Sequence, residues 1–263
     1  MNNNHNKIIS ALGYIFILFF LAFLFYKYYA TIFINGENNK SNPPNNSINV
    51  SPITGEVIQN VTSNAPLLQV TYEFNDISRL YKITSADIVI EEFPSESGSL
   101  IYKGIFYNKN ISLNESINTI SSISTSSLPT IKFLDPLELD KNLFSNKIDT
   151  IFISYTPQLN TSFIYKNGEY FHYSTNVQDV NRFSNTPITF KNVLVEFRDK
   201  SGDTHDGMLF SGGKLQKLKI SGTKITMIND SKELPFSLLR GNTIWIKCPN
   251  SSKIITADSH IES

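Results

Sequence analysis

Thr161-Ser162-Phe163-Ile164-Tyr165-Lys166-Asn167-Gly168-Glu169-Tyr170-Phe171-His172-Tyr173-Ser174 decides the fold class. Two runs of aromatic and branched residues flank Asn167-Gly168. Asn-Gly between such runs is the strongest short-range hairpin signal, because both central residues of the turn adopt positive φ. A two-residue turn also fixes the register. Tyr165 is expected opposite Tyr170, Phe163 opposite His172, and Ile164 opposite Phe171 on the other face. Both faces carry bulky side chains. The hairpin is therefore expected to be covered on both sides or to lie within a sandwich.

Working outward, short apolar runs bounded by Ser, Gly, Asn or Pro continue on both sides. Before the hairpin, strands are expected over residues 67–74, 87–93, 100–107 and 150–155. After it they are expected over 190–197, 208–210, 215–220, 223–228, 244–248 and 253–257. Residues 199–202 read as a turn. A helix is conceivable over 113–123, although Ser and branched residues form helices poorly. Asp135-Pro136-Leu137-Glu138 is a better helix start, with Asp as cap and Pro in the first turn. That helix is expected to reach residue 144. No internal repeat is visible.

The chain has 263 residues, with 23 basic and 23 acidic side chains. This balance offers no electrostatic footprint for nucleic acid. The one cysteine, Cys248, lies in an apolar run. It cannot form an internal disulfide or build a thiolate zinc site, and it reads as a small buried hydrophobe.

Residues 8–26 are almost wholly apolar and carry no charge. As a helix they would span roughly 28 Å at 1.5 Å per residue, close to the thickness of a hydrocarbon core. Tyr26, Tyr28 and Tyr29 cluster at the far edge, where tyrosine favours the boundary with water. Length and the poor cleavage context at Ala30 favour an uncleaved anchor over a signal peptide. Lys7 favours a cytoplasmic N-terminus, although Lys27 weakens that bias. Residues 35–65 are rich in Asn, Ser and Pro and read as a disordered linker.

Asp87, Glu91 and Glu92 form an acidic group on one expected strand. Asp87 and Glu91 would share a face, where they could bind a ligand or cation or perform acid–base work. A strand with charges on its wet face is the plainer account, since no third ligand follows. Asp203-Thr204-His205-Asp206-Gly207 matches no calcium loop and reads as a hairpin tip. His172 reads as a packed or hydrogen-bonded histidine. Gly212-Gly213-Lys214 lacks the further residues of a phosphate loop. No serine elbow, zinc helix or dinucleotide fingerprint is present, and no cofactor or metal is expected.

Several stretches together resemble the YerB-like family, bacterial proteins of lipoprotein type whose function is unknown. Ile153-Ser154-Tyr155, Phe163-Ile164-Tyr165 and Gly168-Glu169-Tyr170 look like the opening hairpin of that family's C-terminal domain. Thr186-Pro187-Ile188-Thr189-Phe190-Lys191-Asn192-Val193-Leu194-Val195 resembles its most distinctive strand. Ser211-Gly212-Gly213-Lys214 and Ser221-Gly222-Thr223 resemble its glycine turns, and Arg240-Gly241-Asn242-Thr243-Ile244-Trp245-Ile246 its closing strand. The resemblance covers roughly residues 148–249. Before that, only Ser85-Ala86-Asp87-Ile88-Val89-Ile90-Glu91 is similar to the N-terminal domain. The glycine–proline–x–arginine–serine and histidine–glycine–glycine segments are missing, as is the lipid-anchoring cysteine. A transmembrane helix is expected to replace that cysteine.

The expected fold is mainly β with a few helices (α+β). Residues 1–34 form a cytoplasmic tip and transmembrane anchor, and 35–65 a flexible linker. Residues 66–147 form a reduced, mixed α/β YerB-like region. Residues 148–258 form a C-terminal antiparallel β-sandwich or open barrel packed with it. The expected function is a non-catalytic binding or scaffolding module of the bacterial cell envelope, in a single-pass membrane protein whose C-terminal domain lies outside the cytoplasm. An envelope protein or wall polymer is the expected partner. The alternative is a metal-dependent or carboxylate-based envelope hydrolase using Asp87 and Glu91.

Overall fold

The computed structural model describes residues 49–59, 65–94, 98–139, 146–198, 202–229 and 232–258. The expected anchor over 8–26 and most of the turn over 199–202 lie outside the described residues. Among the described residues, no helix is long and apolar enough to cross a membrane.

In chain order the strands begin with β1 (Leu67–Tyr72), β2 (Ile88–Glu92), β3 (Ile101–Tyr107), β4 (Ile117–Ser122) and β5 (Lys132–Leu134). The one-turn helix α1 (Pro136–Leu139) follows. Next come β6 (Asn146–Lys147), β7 (Thr150–Ser154), β8 (Asn160–Lys166), β9 (Glu169–Ser174) and β10 (Val177–Gln178). Then β11 (Val180–Asn181), β12 (Thr186–Pro187), β13 (Thr189–Phe190), β14 (Asn192–Arg198), β15 (Thr204–Ser211) and β16 (Lys214–Ser221). The chain closes with β17 (Lys224–Asn229), β18 (Lys232–Pro235), β19 (Ser237–Leu239), β20 (Thr243–Pro249) and β21 (Lys253–Ala257).

The larger sheet runs β18-β17-β16-β15-β14-β20-β2-β3-β1-β4, with β6 also paired to β16. The smaller sheet runs β10-β9-β8-β7-β21, with β13 also on β9. Both are open, so among the described residues the fold is mainly β with very little helix and no closed barrel. The antiparallel expectation needs correction at the centre. There β20 lies parallel to both β14 and β2; β19 and β5 form a separate parallel pair. Strands of this kind are covered on both faces and read as continuous apolar runs. Val193-Leu194-Val195 and Ile244-Trp245-Ile246 have that character, and all six residues are buried.

The two faces serve two cores. Val89, Val193, Val195, Ile244 and Ile246 face the smaller sheet, where Ile151, Ile153, Phe163 and Tyr170 meet them. Ile88, Ile90, Leu194 and Trp245 point the other way, into a second core with Leu134, Leu139, Phe236 and Leu238. Each fully buried large side chain contributes about 1.5–3 kcal/mol, so the central strands draw stability from both faces.

The Asn167-Gly168 hairpin forms in the expected register, with Tyr165↔Tyr170, Phe163↔His172 and Ile164↔Phe171. Asn167 and Gly168 have φ of 55° and 84°, the left-handed pair that a tight hairpin demands. Its faces are not equally covered, however. Phe163, Tyr170 and His172 are fully buried, whereas Ile164 is exposed.

Three other expectations change. Within the stretch considered for a helix, Ile117–Ser122 is instead an edge strand paired to β1. Most of its Asn, Thr and Ser side chains stay exposed, as an edge strand allows. Thr204 to Gly207 are not a hairpin tip but the start of β15, paired to Ser221–Leu218 of β16. Residues 49–59, counted by composition within the linker, form a small clip bridged at Val50↔Val57. Its Ile53 is buried. Arg240 Nη1 donates to Gly55 O at 2.5 Å, and Gly241 N donates to Thr54 O at 2.8 Å. Pairing of β2 with β20 also carries one continuous sheet across the boundary drawn at 147/148.

Candidate functional site

Alternation along β2 sends Asp87, Val89, Glu91 and Phe93 to one side and Ile88, Ile90 and Glu92 to the other. Asp87 and Glu91 thus share a side, as expected, yet the structure does not bring them to a common ligand. Asp87 Oδ2 accepts from Tyr107 N at 2.7 Å, and Oδ1 accepts from Lys109 Nζ at 2.6 Å. Burial pushes its carboxyl up, opposed by Lys109 and the Tyr107 amide. Asp87 therefore pins the end of β3.

Glu91 is fully buried between the sheets. Its Oε2 accepts from Tyr102 Oη at 2.9 Å, and its Oε1 accepts from Tyr155 Oη. His172 Nε2 lies 3.3 Å from Oε2 and 2.8 Å from Thr161 Oγ1. His172 Nδ1 lies 2.7 Å from Asp179 Oδ2. Burial depresses the His172 pKa, but the hydrogen bonds and charges of Asp179 and Glu91 outweigh it and raise the imidazole to about 9. Tyr102 and Tyr155 are driven well above their usual range by burial and by Glu91. The outcome is an imidazolium clasped between two carboxylates, joining β2 of one sheet to β9 of the other. Two tyrosine hydroxyls satisfy the remaining lone pairs. Both ring nitrogens and both Glu91 oxygens are already engaged. Among the described residues, no group of three or more His, Cys, Asp or Glu is arranged to hold a metal.

Cys248 lies on the same inner side and is 1 % exposed. Burial pushes its thiol up to about 12. A thiolate is the reactive form, so Cys248 of the folded protein should not react with an aromatic disulfide reagent at pH 8. It should react fully once denatured. Rapid stoichiometric reaction of the native protein would contradict this burial.

The other side of the same strands opens into a cleft of about 270 Å³. β14, β20 and β2 run parallel and end together there. Glu196, Lys247 and Glu92 form a lateral row across the three strands, with Leu194, Trp245 and Ile90 in the row beneath. Glu196 Oε2 accepts from Trp245 Nε1 at 2.9 Å, and its Oε1 accepts from Arg198 Nε at 2.9 Å. Glu92 Oε2 accepts from Lys103 Nζ at 3.1 Å, and Arg198 Nη1 lies 3.5 Å from Glu92 Oε1. Burial pushes the Glu92 carboxyl up, but Lys103, Arg198 and Lys247 outweigh it and hold it below the ordinary range. Lys247 Nζ sits 4.4 Å above the Trp245 ring. Burial and Arg198 hold this ammonium down at about 8, against the pull of Glu196 and Glu92. Leu128, Pro129 and Thr223 complete the walls and also line a wider outer groove.

Sequence reasoning found Glu91 but not its partners, and it missed the cleft. The available signal was charge inside two-sided apolar strands: Glu196 in Val-Leu-Val-Glu-Phe-Arg and Lys247 in Ile-Trp-Ile-Lys-Cys. A charge that alternation turns inward requires a partner or a function.

No protein-family profile matches the chain, and no curated protein matches it significantly. Among solved structures, the YerB protein from Bacillus subtilis is similar in fold, with a TM-score of 0.52 at 14 % identity. The match covers 79 % of this chain and 99 % of that one. At that identity the likeness is one of architecture: the described part of the chain has a YerB-like fold.

Proposed function

We propose that this protein is a non-catalytic binding module of the bacterial cell envelope. In this reading residues 8–26 anchor it in the membrane, and the β domain stands outside the cytoplasm and binds its ligand at the carboxyl ends of β14, β20 and β2. One observation carries the proposal. The acid–base group with catalytic composition, Glu91–His172–Asp179, is shut between the sheets with its polar atoms paired. The open cleft presents charge without a nucleophile–base pair. In open α/β sheets ligands bind outside the carboxyl ends of parallel strands, and the three parallel strands here end at this cleft. A hydrolase built on Asp87 and Glu91 draws less support, because both carboxylates already hold strands in place.

The test is photo-cross-linking of the full-length protein in intact cells. A photoreactive residue at exposed Thr223, on the rim of the cleft, is compared with one at Ile255 on β21, which is 61 % exposed. An adduct at Thr223 and none at Ile255, read by intact mass, is the expected result. No adduct at Thr223, or equal adducts at both, would overturn the reading.

A further inference from the structure

Each carboxylate of the cleft is already matched by a cation or donor. Glu196 is held by Arg198 and Trp245, and Glu92 by Lys103 and Arg198. That leaves the Lys247 ammonium. Among the described residues, no carboxylate lies within salt-bridge distance of Lys247 Nζ, which lies over the Trp245 ring. Three cations (Lys103, Arg198, Lys247) face two carboxylates (Glu92, Glu196), so the cluster has one positive charge in surplus. A partly buried ammonium with no protein acceptor can give charge-assisted hydrogen bonds to a ligand anion. Burial and the neighbouring Arg198 lower its pKa.

The remaining walls are mainly apolar, with Gln69, Ser127 and Thr223 as their polar side chains. Ile90, Ile105, Ile123, Leu128 and Pro129 line the cleft beside Trp245. The volume of about 270 Å³ equals roughly nine water-sized shares at ~30 Å³ each. That space accommodates about ten non-hydrogen atoms. A single surplus charge fits a monoanion better than a phosphate dianion. A cation is disfavoured, because the Trp245 ring already faces Lys247 and both carboxylates are already paired with cations.

We propose that this cleft binds a small aliphatic carboxylate, its carboxylate paired with Lys247 and its hydrocarbon body lying against Ile90, Ile105, Leu128 and Trp245. The proposal rests on the reading of the protein as a binding module and names the class of ligand.

Trp245 is the chain's one tryptophan, so its emission reports the cleft directly. Octanoate is titrated into the full-length protein in lipid nanodiscs, with octan-1-ol as the uncharged probe of equal length. Octanoate should change the emission saturably. Octan-1-ol should bind roughly tenfold more weakly or worse, the loss expected when a charge-assisted hydrogen bond is absent. Lys247→Met should lose octanoate affinity by the same factor, and Lys247→Arg should retain it. The Arg variant also covers the case in which the Met variant fails to fold. No saturable change with octanoate, equal binding of the alcohol, or loss of binding in Lys247→Arg would overturn the assignment. Failure with octanoate alongside a specific Thr223 adduct in cells would remove only the ligand class. Failure of both would remove the binding-module reading as well.

Discussion

Glu91→Ala is expected to destabilise the full-length protein by about 3–5 kcal/mol, the range found when one member of a buried ion pair is removed. The loss has two physical parts. His172, raised to about 9 by its two carboxylates, keeps only Asp179 as counter-charge in a fully buried position. Tyr102 and Tyr155, whose hydroxyls both donate to Glu91, lose their common acceptor. Each buried donor left unmatched costs about 1–3 kcal/mol. Glu91→Gln retains an acceptor oxygen and similar shape, so it should cost distinctly less. Urea denaturation followed by near-ultraviolet circular dichroism separates the two. Equal and small losses in both variants would show that the clasp contributes little.

The same histidine should make stability depend on pH between about 6.5 and 8. Its proton is bound more tightly in the folded state, at about 9, than at the ordinary 6.5. The stabilisation is therefore complete below 6.5 and is lost as pH rises toward 9. Lys247 works in the opposite sense. Its pKa falls from 10.5 to about 8 on folding, so it adds stability as pH rises above 8. The histidine effect is thus cleanest below 8. At ~1.4 kcal/mol per pH unit, stability should decline by about 2 kcal/mol across that window. Denaturation midpoints at pH 6.5 and 8 measure it. His172→Gln should remove the slope, and a flat profile for the unaltered protein would show that His172 is not a folded-state cation.

The hairpin was legible because two local facts fix it: the Asn-Gly turn and the one register it allows. The central strands were legible as strands, since continuous runs such as Val193-Leu194-Val195 need cover on both faces. Their parallel direction was not. An apolar run records burial and carries no sign of which end meets its neighbour. The stretch with β4 was ambiguous because its Ser and Thr are poor in helices and fit an edge strand only when β1 supplies the pairing. Glu91 stood out as an acid within an apolar strand, but its spacing from Asp87 drew attention to the wrong companion. Its real partners, His172 and Asp179, come from distant sequence, and Asp179 sits in a link between two-residue strands that carries no local mark. Lys247 was overlooked for a related reason: one lysine in an apolar strand is conspicuous only when Glu196 and Glu92 are seen on either side.

β20 lies between β14 and β2, which belong to widely separated parts of the chain. Until residues 243–249 have been synthesised, the two halves of the larger sheet share no common strand. β2 and β14 must then wait with one edge each of unpaired amides and carbonyls, the state most open to pairing with other chains. Closing them requires contacts across almost the whole domain, which makes folding slow. Assembly therefore ends with its centrepiece: the nascent domain stays incomplete until nearly its last strand has emerged, and truncation before Thr243 should yield aggregation-prone halves instead of a smaller working domain.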